Sequence, residues 1–339
     1  MATFVRTQEI EHEIGDRGQL ALRVTSPDVE MRAVDGGLAR VRITFEIRAT
    51  SDADADEILQ RASFRVSQHI GSLEVAEPKD GPGGIGSLAR LFGGGGRIDT
   101  SVAVEAPRGC ELRYDGVSSD LTATGFRGDQ QFRTVSGDLV LDGTGGDLRV
   151  KGVSSDISLR AETPLPSLEI NTVSGDISAV APRVDQLHLV TVSDDVELET
   201  TLADGAAHRV ETVSGDLSLG VSGDLSVEVR GISTDVDIRV PHRSEGSRDR
   251  RRYIIGRGGP TLTFSSMSGD VEVRGPRRDG APPPPPRPPT PPTPPFAPSM
   301  RVVLPDNDEQ LAVLRALERG EIDVDEAARR LAGESGSDV

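Results

Sequence analysis

Apolar residues return at fixed offsets from a short recurring turn sequence. Let position i be the apolar residue before the serine or equivalent. The series then runs Val117, Val135, Val153, Val173, Val192, Val213, Ile232 and Met267, with gaps of 18, 18, 20, 19, 21, 19 and 35 residues. Position i+4 is always Leu, Ile or Val: Leu121, Leu139, Ile157, Ile177, Val196, Leu217, Val236 and Val271. Position i+6 is usually apolar, and so are i−3 and i−5 upstream, as in Ile170 and Leu168 or Phe264 and Leu262. Spacing of two marks strands. The odd interval between i−3 and i shifts side-chain parity once, as a bend does. Each copy reads as strand, bend, strand, corner. A period near 19 residues is too short for a helix pair and suits one coil of a parallel β-solenoid.

The corner has its own pattern. Position i+2 is small or turn-forming: Ser119, Gly137, Ser155, Gly175, Asp194, Gly215, Thr234 and Gly269. Parity points it inward, where the chain turns too tightly for bulk. Position i+3 is Asp in all eight copies: Asp120, Asp138, Asp156, Asp176, Asp195, Asp216, Asp235 and Asp270. Parity points it outward, and a carboxylate there can accept an amide one or two residues on. Coils stack at ~4.8 Å, so neighbouring carboxylates repel unless hydrogen bonds or cations offset them. Calcium rolls use GGxGxDxUx, and the chain lacks that double glycine. The aspartates are therefore read as structural, and no metal site is predicted. Shorter copies, TGGDLRV (144–150) and VSGDLS from Val221, accompany the series.

Outside 109–275, the repeat region, the pattern changes. In residues 1–108, ARVRITFEIRA (39–49) alternates as a half-buried strand with Val41, Ile43, Phe45 and Ile47 inward. SDADADEILQRA (51–62) reads as a short helix capped by Ser51. GPGGIGSLARLFGGGGR (81–97) is a Gly-rich hinge. RSEGSRDRRRYIIGRGG (243–259) interrupts the spacing and is expected to be a solvated, Arg-rich loop that offsets the acidic corners, with contact to an anion or acidic partner as the sharper reading. Residues 276–298 form a Pro-rich, polyproline II spacer. Residues 299–339 read as a small helical hairpin: Asp308 caps a helix with Leu311, Leu314 and Leu317 that stops at Gly320, and Asp323 with Glu326 opens a second. So small a module buries little surface, which points to a protein partner.

Composition narrows the function. Aromatics are 3%, so the core rests on Val, Leu, Ile and Ala. A net charge of −17 argues against nucleic acid, whose phosphates need clustered cations. One cysteine, Cys110, leaves no intrachain disulfide; it reads as a small strand residue. The N-terminus has no basic segment leading into an apolar run, and no window approaches the ~18 apolar residues of a membrane span. The expected compartment is the cytoplasm, with no integral membrane segment.

Catalytic chemistry finds no foothold in the pattern. Aligning corners sets His188 opposite Arg209 and His208 opposite Leu187, on opposite strand faces, so the two do not pair. No His accompanies the corner serines at a repeated position. FGGGGR (92–97) lacks the Lys-Ser/Thr of a phosphate loop. Every coil carries the same outward Asp, so none is singled out for acid–base work on a sugar. No catalytic, cofactor-binding or metal residue is assigned, and no cofactor is expected.

The TVSGDIxI corners, preceded by VAVEAPRGCELRYDGVSSDL (102–121), resemble the bacterial "putative adhesin" family, a domain of unknown function built of β-strand repeats. DNDEQLAVLRALERGEIDVDEAARRLAG (306–333) is similar to the SHOCT-like helical module joined to that domain in relatives. The resemblance implies a link to envelope stress and surface association, and brings no catalytic residues. The expected protein is a non-enzymatic scaffold: a mainly β chain whose solenoid of short coils follows an N-terminal β-rich region and precedes a C-terminal helical hairpin. A surface adhesin and a glycan-active enzyme are the alternatives. Oligomeric state is left open.

Overall fold

The computed structural model describes residues 2–78, 98–231, 234–247 and 250–275. The Gly-rich stretch 81–97, the Pro-rich segment 276–298, residues 299–339 where a helical hairpin is expected, Ile232 and Arg248 lie outside the described residues. The first third contains β1 (Ala2–Glu13), β2 (Gln19–Arg23), β3 (Asp28–Val34), β4 (Leu38–Ala49), helix α1 (Asp52–Ala62), β5 (Arg65–His69), β6 (Ser72–Ala76) and β7 (Ile98–Pro107). The repeats then supply strands in pairs: β8 (Glu111–Asp115) and β9 (Leu121–Thr124), β10 (Gln130–Arg133) and β11 (Leu139–Thr144), β12 (Leu148–Lys151) and β13 (Ile157–Ala161). Next come β14 (Leu168–Asn171) and β15 (Ile177–Val180), β16 (Leu187–Val190) and β17 (Val196–Thr200), β18 (Ala207–Glu211) and β19 (Leu217–Val221). The series closes with β20 (Leu225–Gly231), β21 (Val236–Ile238), β22 (His242–Ser247), β23 (Arg250–Ile255), β24 (Thr261–Ser266) and β25 (Val271–Arg274).

Each coil gives one strand to each of two long sheets, as the periodicity predicts. One sheet runs β1-β4-β7-β3-β9-β11-β13-β15-β17-β19-β25-β21; the other runs β22-β23-β20-β24-β18-β16-β14-β12-β10-β8-β2-β6-β5. Pairing within the repeats is parallel and nearly free of shifts. The i+4 residues stack in register, Leu121 on Leu139, Ile157, Ile177, Val196 and Leu217 in turn, and all are buried. The facing sheet contributes Leu112, Leu148, Leu168 and Leu187. Burying an aliphatic side chain of this size is worth ~1.5–3 kcal/mol, so these columns, interrupted in the facing sheet by the buried Gln130 between Leu112 and Leu148, are the main cohesive force between coils.

The bend and the Ser-Gly-Asp turn prove to be one corner. It occupies five residues in six successive coils: 116–120, 134–138, 152–156, 172–176, 191–195 and 212–216. The second corner varies: 125–129, 145–147, 162–167, 181–186 and 201–206. The irregular period is therefore absorbed in the second corner and the strand lengths, while the first corner keeps a constant length. The short copies TGGD and VSGD fall in second corners.

Two findings revise the sequence reading. The segment expected as a loop contains an antiparallel hairpin, β22 on β23, which covers the outer edge of β20. In addition, coils do not stack in chain order at this end. β24 and β25 insert between the β18/β19 coil and the β20/β21 coil. The gap of 35 residues thus marks a chain that lays down the outer coil, adds the hairpin, and returns to fill the layer beneath.

The other end mirrors this. β2 and β3 pair in parallel with the first repeat strands β8 and β9, and β6 and β7 lie beyond them. Residues on both sides of 108 therefore share both sheets, and Met1–Pro276 is one compact unit. Antiparallel β4 and β1 cover β7, and antiparallel β5 covers β6. β4 buries Val41, Ile43, Phe45 and Ile47 as its alternation predicts. Ser51 Oγ accepts the Asp54 amide at 3.2 Å, the expected cap. Arg6 on β1 holds the first two turns of α1 through Asp52 (2.8 Å) and Asp56 (2.9 Å). At this end both sheets finish in antiparallel strands; at the far end β23 and β22 cover β20, while β21, parallel to β25, ends its sheet.

Candidate functional site

The first corner repeats along the stack and presents three parallel rows. The outermost holds the i+3 aspartates, and all eight are exposed. Their carboxylates do not serve their own turns. The Asp138 amide donates to Asp120 Oδ1 (2.9 Å), the Asp176 amide to Asp156 (2.9 Å), and the Asp216 amide to Asp195 (3.1 Å). At the far end the Asp270 amide donates to Asp216 (2.8 Å), and the Asp235 amide to Asp270 (2.9 Å). The local turn bond expected from sequence is replaced by a bond between coils. That bond offsets the like-charge repulsion a bare row would suffer.

The inner row explains the small residues at i+2. Spatial order is Ser119, Gly137, Ser155, Gly175, Asp194, Gly215, Gly269, Thr234. Through Gly215, each residue with a side chain is followed by a glycine. A Cβ at Gly137 would lie 2.4 Å from the Ser119 carbonyl oxygen, one at Gly175 2.2 Å from that of Ser155, and one at Gly215 2.0 Å from that of Asp194. Gly137 and Gly175 also hold φ of +116° and +128°, values open to glycine alone at little cost. Gly215 does not, so its constraint is steric only.

The third row is the i position, and it changes along the stack. Val117, Val135 and Val173 are half-buried and Val153 is buried. Val192, Val213 and Met267, in consecutive coils, are 37%, 44% and 58% exposed. The adjoining serines bridge in parallel from Ser118 through Ser136 and Ser154 to Ser174, where the bridges stop.

Asp194 stands at that change. It is 1% exposed, and burial pushes its carboxyl up to about 6, against weaker opposition from the Thr191 and Thr172 hydroxyls. Parity shows the position faces inward, but pattern alone does not mark the residue as special, because TVSDD differs from TVSGD by one letter.

The remaining candidates fall as follows. His188 lies opposite Arg209 and is exposed, whereas His208 is buried with Nε2 2.8 Å from the Ala203 carbonyl oxygen; the two are not brought together. Cys110 is buried in the turn before β8 rather than in a strand, and burial raises its thiol to about 12. In the Arg-rich segment Arg251 donates to the Thr234 carbonyl (2.6 Å) and Arg252 to Ser226 Oγ (3.3 Å), so these two guanidiniums tie the hairpin to the coil. Asp224, in the short VSGD copy, accepts the Arg257 amide and side chain, which hold its carboxyl below the usual range. A groove of about 230 Å³ passes Arg113, Asp129, Asp147 and Arg149; its arginines are engaged by Glu111 and Glu169 at 2.7 Å. Among the described residues no three His, Cys, Asp or Glu side chains converge as a metal site, and no helix is long and apolar enough to cross a membrane.

A two-sheeted parallel solenoid with repeated Asp corners defines the class. Residues 19–274 match the family described as Toastrack DUF4097, and the chain belongs to it. No curated protein matches the sequence. Solved structures similar to it include a "putative lipid binding protein" from Parabacteroides distasonis (13% identity, 79% of this chain and 96% of that one, TM-score 0.34). Others are a "putative adhesin" from Bacteroides fragilis (11%, 80% and 97%, 0.30) and a "putative cell adhesion protein" from Clostridium sporogenes (10%, 80% and 100%, 0.24).

Proposed function

We propose that the protein is a non-enzymatic scaffold whose solenoid offers one repeated surface to a protein partner. The observation that carries this reading is the corner row. Eight exposed aspartates recur at the same place in successive coils, linked through backbone amides in three groups (Asp120 with Asp138, Asp156 with Asp176, and Asp195, Asp216, Asp270 and Asp235) rather than focused on a single point. A catalytic centre needs one coil to differ from its neighbours in its outward groups; the outward corner groups here are alike. Such a surface suits an extended partner read by repetition, and the negative row favours cationic groups on it. The chain's own SHOCT-like tail, 299–339, is the second contact in this reading, and the cytoplasm is its compartment.

Pull-down from the native host with the full chain and with a version ending at residue 298 tests the assignment. Loss of the recovered protein on truncation supports contact through the tail, and loss on replacing Asp195, Asp216 and Asp270 by Asn supports contact through the row. Recovery unaffected by either change defeats the reading. Fractionation that finds the protein outside the cell replaces the cytoplasmic scaffold with a surface adhesin. Turnover in a glycan screen replaces it with an enzyme.

A further inference from the structure

We infer that Asp194 is a buried proton-binding site that makes the cohesion of the stack at its fifth corner depend on pH. The position belongs to the inner row, where the coils below use Ser119, Gly137, Ser155 and Gly175. Asp194 is the one member of that row with an ionisable side chain. Neither of its carboxylate oxygens makes a well-formed hydrogen bond, and neither does Oγ1 of Thr172 or Thr191 beside it; these hydroxyls and the Gly175 amide lie close enough to oppose the shift only in part. A buried carboxylate held only by such imperfect contacts is costly when ionised, because they do not replace its lost hydration.

No cation stands within reach on the packed corners. The corner below, 172–176, carries Asp176 as its only charged residue; the corner above, 212–216, carries Asp216; its own carries Asp195. Asp176 adds further opposition to ionisation. The protonated form solves both problems at once: the charge vanishes, and the carboxyl gains an O–H that can donate to one of the unpaired threonine oxygens or to a nearby carbonyl. The ionised form finds relief by opening the corner to water. The structure shows where that opening would begin, since the serine bridges end at Ser174 and the valine turns outward at Val192, both on this corner's border.

The sign follows from the raised folded value. The carboxyl binds its proton more tightly in the folded chain, at about 6, than in an ordinary environment, at 3.8. Its favourable contribution is complete below about pH 4 and is lost as pH rises through about 6, after which the profile is flat. The gap corresponds to a change on the order of a hundredfold in the ratio of folded to unfolded chains.

The test compares the full chain with Asp194→Ser and Asp194→Asn. Serine is the residue the chain itself places at 119 and 155, so it suits the same space. Urea unfolding is followed from pH 4 to 8, and the difference between wild type and each variant removes the contribution of all other groups. The expected result is a difference that grows by about a hundredfold between pH 4 and 7 in favour of both variants, and levels off above. A difference that does not change with pH overturns the inference. If neither variant folds, carbon-13 titration of the aspartate carboxyls in the wild-type protein decides. One midpoint near 6 supports the site, and all midpoints in the ordinary range near 4 overturn it. Hydrogen exchange, corrected for intrinsic rates, should show the 191–195 amides opening more readily at pH 8 than at pH 5 in wild type alone.

Discussion

The same pentapeptide makes two different corners. In the coils through Ser174 the serines bridge from coil to coil and the valine before them is wholly or partly covered. In the coils of Val192, Val213 and Met267 no serine bridge is formed, and the apolar residue and the serine after it are exposed. Thr-Val-Ser-Gly-Asp at 172–176 and at 212–216 is identical in sequence and unlike in setting. Local preference cannot account for that, because it is the same in both. The two differ in what stacks beneath: Ser155 below the first, the buried Asp194 below the second. A corner in a solenoid takes its shape from the neighbouring coil as much as from its own residues.

The largest expected effect comes from the inner glycines and separates steric from conformational cost. Gly175→Ala meets the Ser155 carbonyl and must hold a φ of +128°. Overpacking and backbone strain each contribute ~1–3 kcal/mol, so a loss of ~2–6 kcal/mol is expected. Gly215→Ala carries only the steric part, ~1–3 kcal/mol, although a valine there would cost more. Urea unfolding together with hydrogen exchange on the flanking coils measures both. Equal losses would show that positive φ is not what distinguishes the closed corner from the open one.

A smaller effect addresses the apolar row. Val153 is buried to 5% exposure, and Val153→Ser should cost ~1.5–3 kcal/mol. Val213→Ser, in the open corner, should change stability by no more than ~0.5 kcal/mol. Were Val213 as costly as Val153, the exposed row would be covered in solution, and light scattering would then report self-association.

The outer row should respond less, and unevenly. Asp156 accepts the Asp176 amide, so Asp156→Ala should lose one hydrogen bond, ~0.5–1.5 kcal/mol, whereas Asp156→Asn keeps an oxygen acceptor and should be near neutral. Asp176→Ala should move the Asp194 midpoint downward, since Asp176 is one of the groups holding it up. No shift of that midpoint would show that the two carboxyls are not coupled. Least of all is expected from Ca²⁺: calorimetric titration should show no stoichiometric tight site. Several equivalents bound at micromolar affinity would turn the amide-linked row into a cation ladder.

Much of this was legible before any coordinate. Strand positions, inward and outward parity at i+2 and i+3, the strand at 39–49 and the Ser51 cap all follow from short-range rules, because a two-residue period and a cap are written within a few residues. What the pattern missed has a common origin. Nothing local tells that Asp120 accepts an amide from the next coil rather than from its own turn, or that 243–259 contains an antiparallel hairpin. The insertion of β24 and β25 beneath an earlier coil is likewise invisible, since pairing between strands of equal period is set by which edge remains open.

Taken alone, the sequence determined the coil: its strands, the place of its Ser-Gly-Asp turn, and the Asp that faces out of it. Repetition makes these robust, because each copy obeys the same parity. Tertiary structure decided the order of the coils, the caps at the two ends and the environment of each corner. It also decided that Asp194, one letter away from the repeated glycine, is sealed in the interior. These depend on contacts between residues 18 to 54 positions apart, and such contacts exist only once the stack is closed.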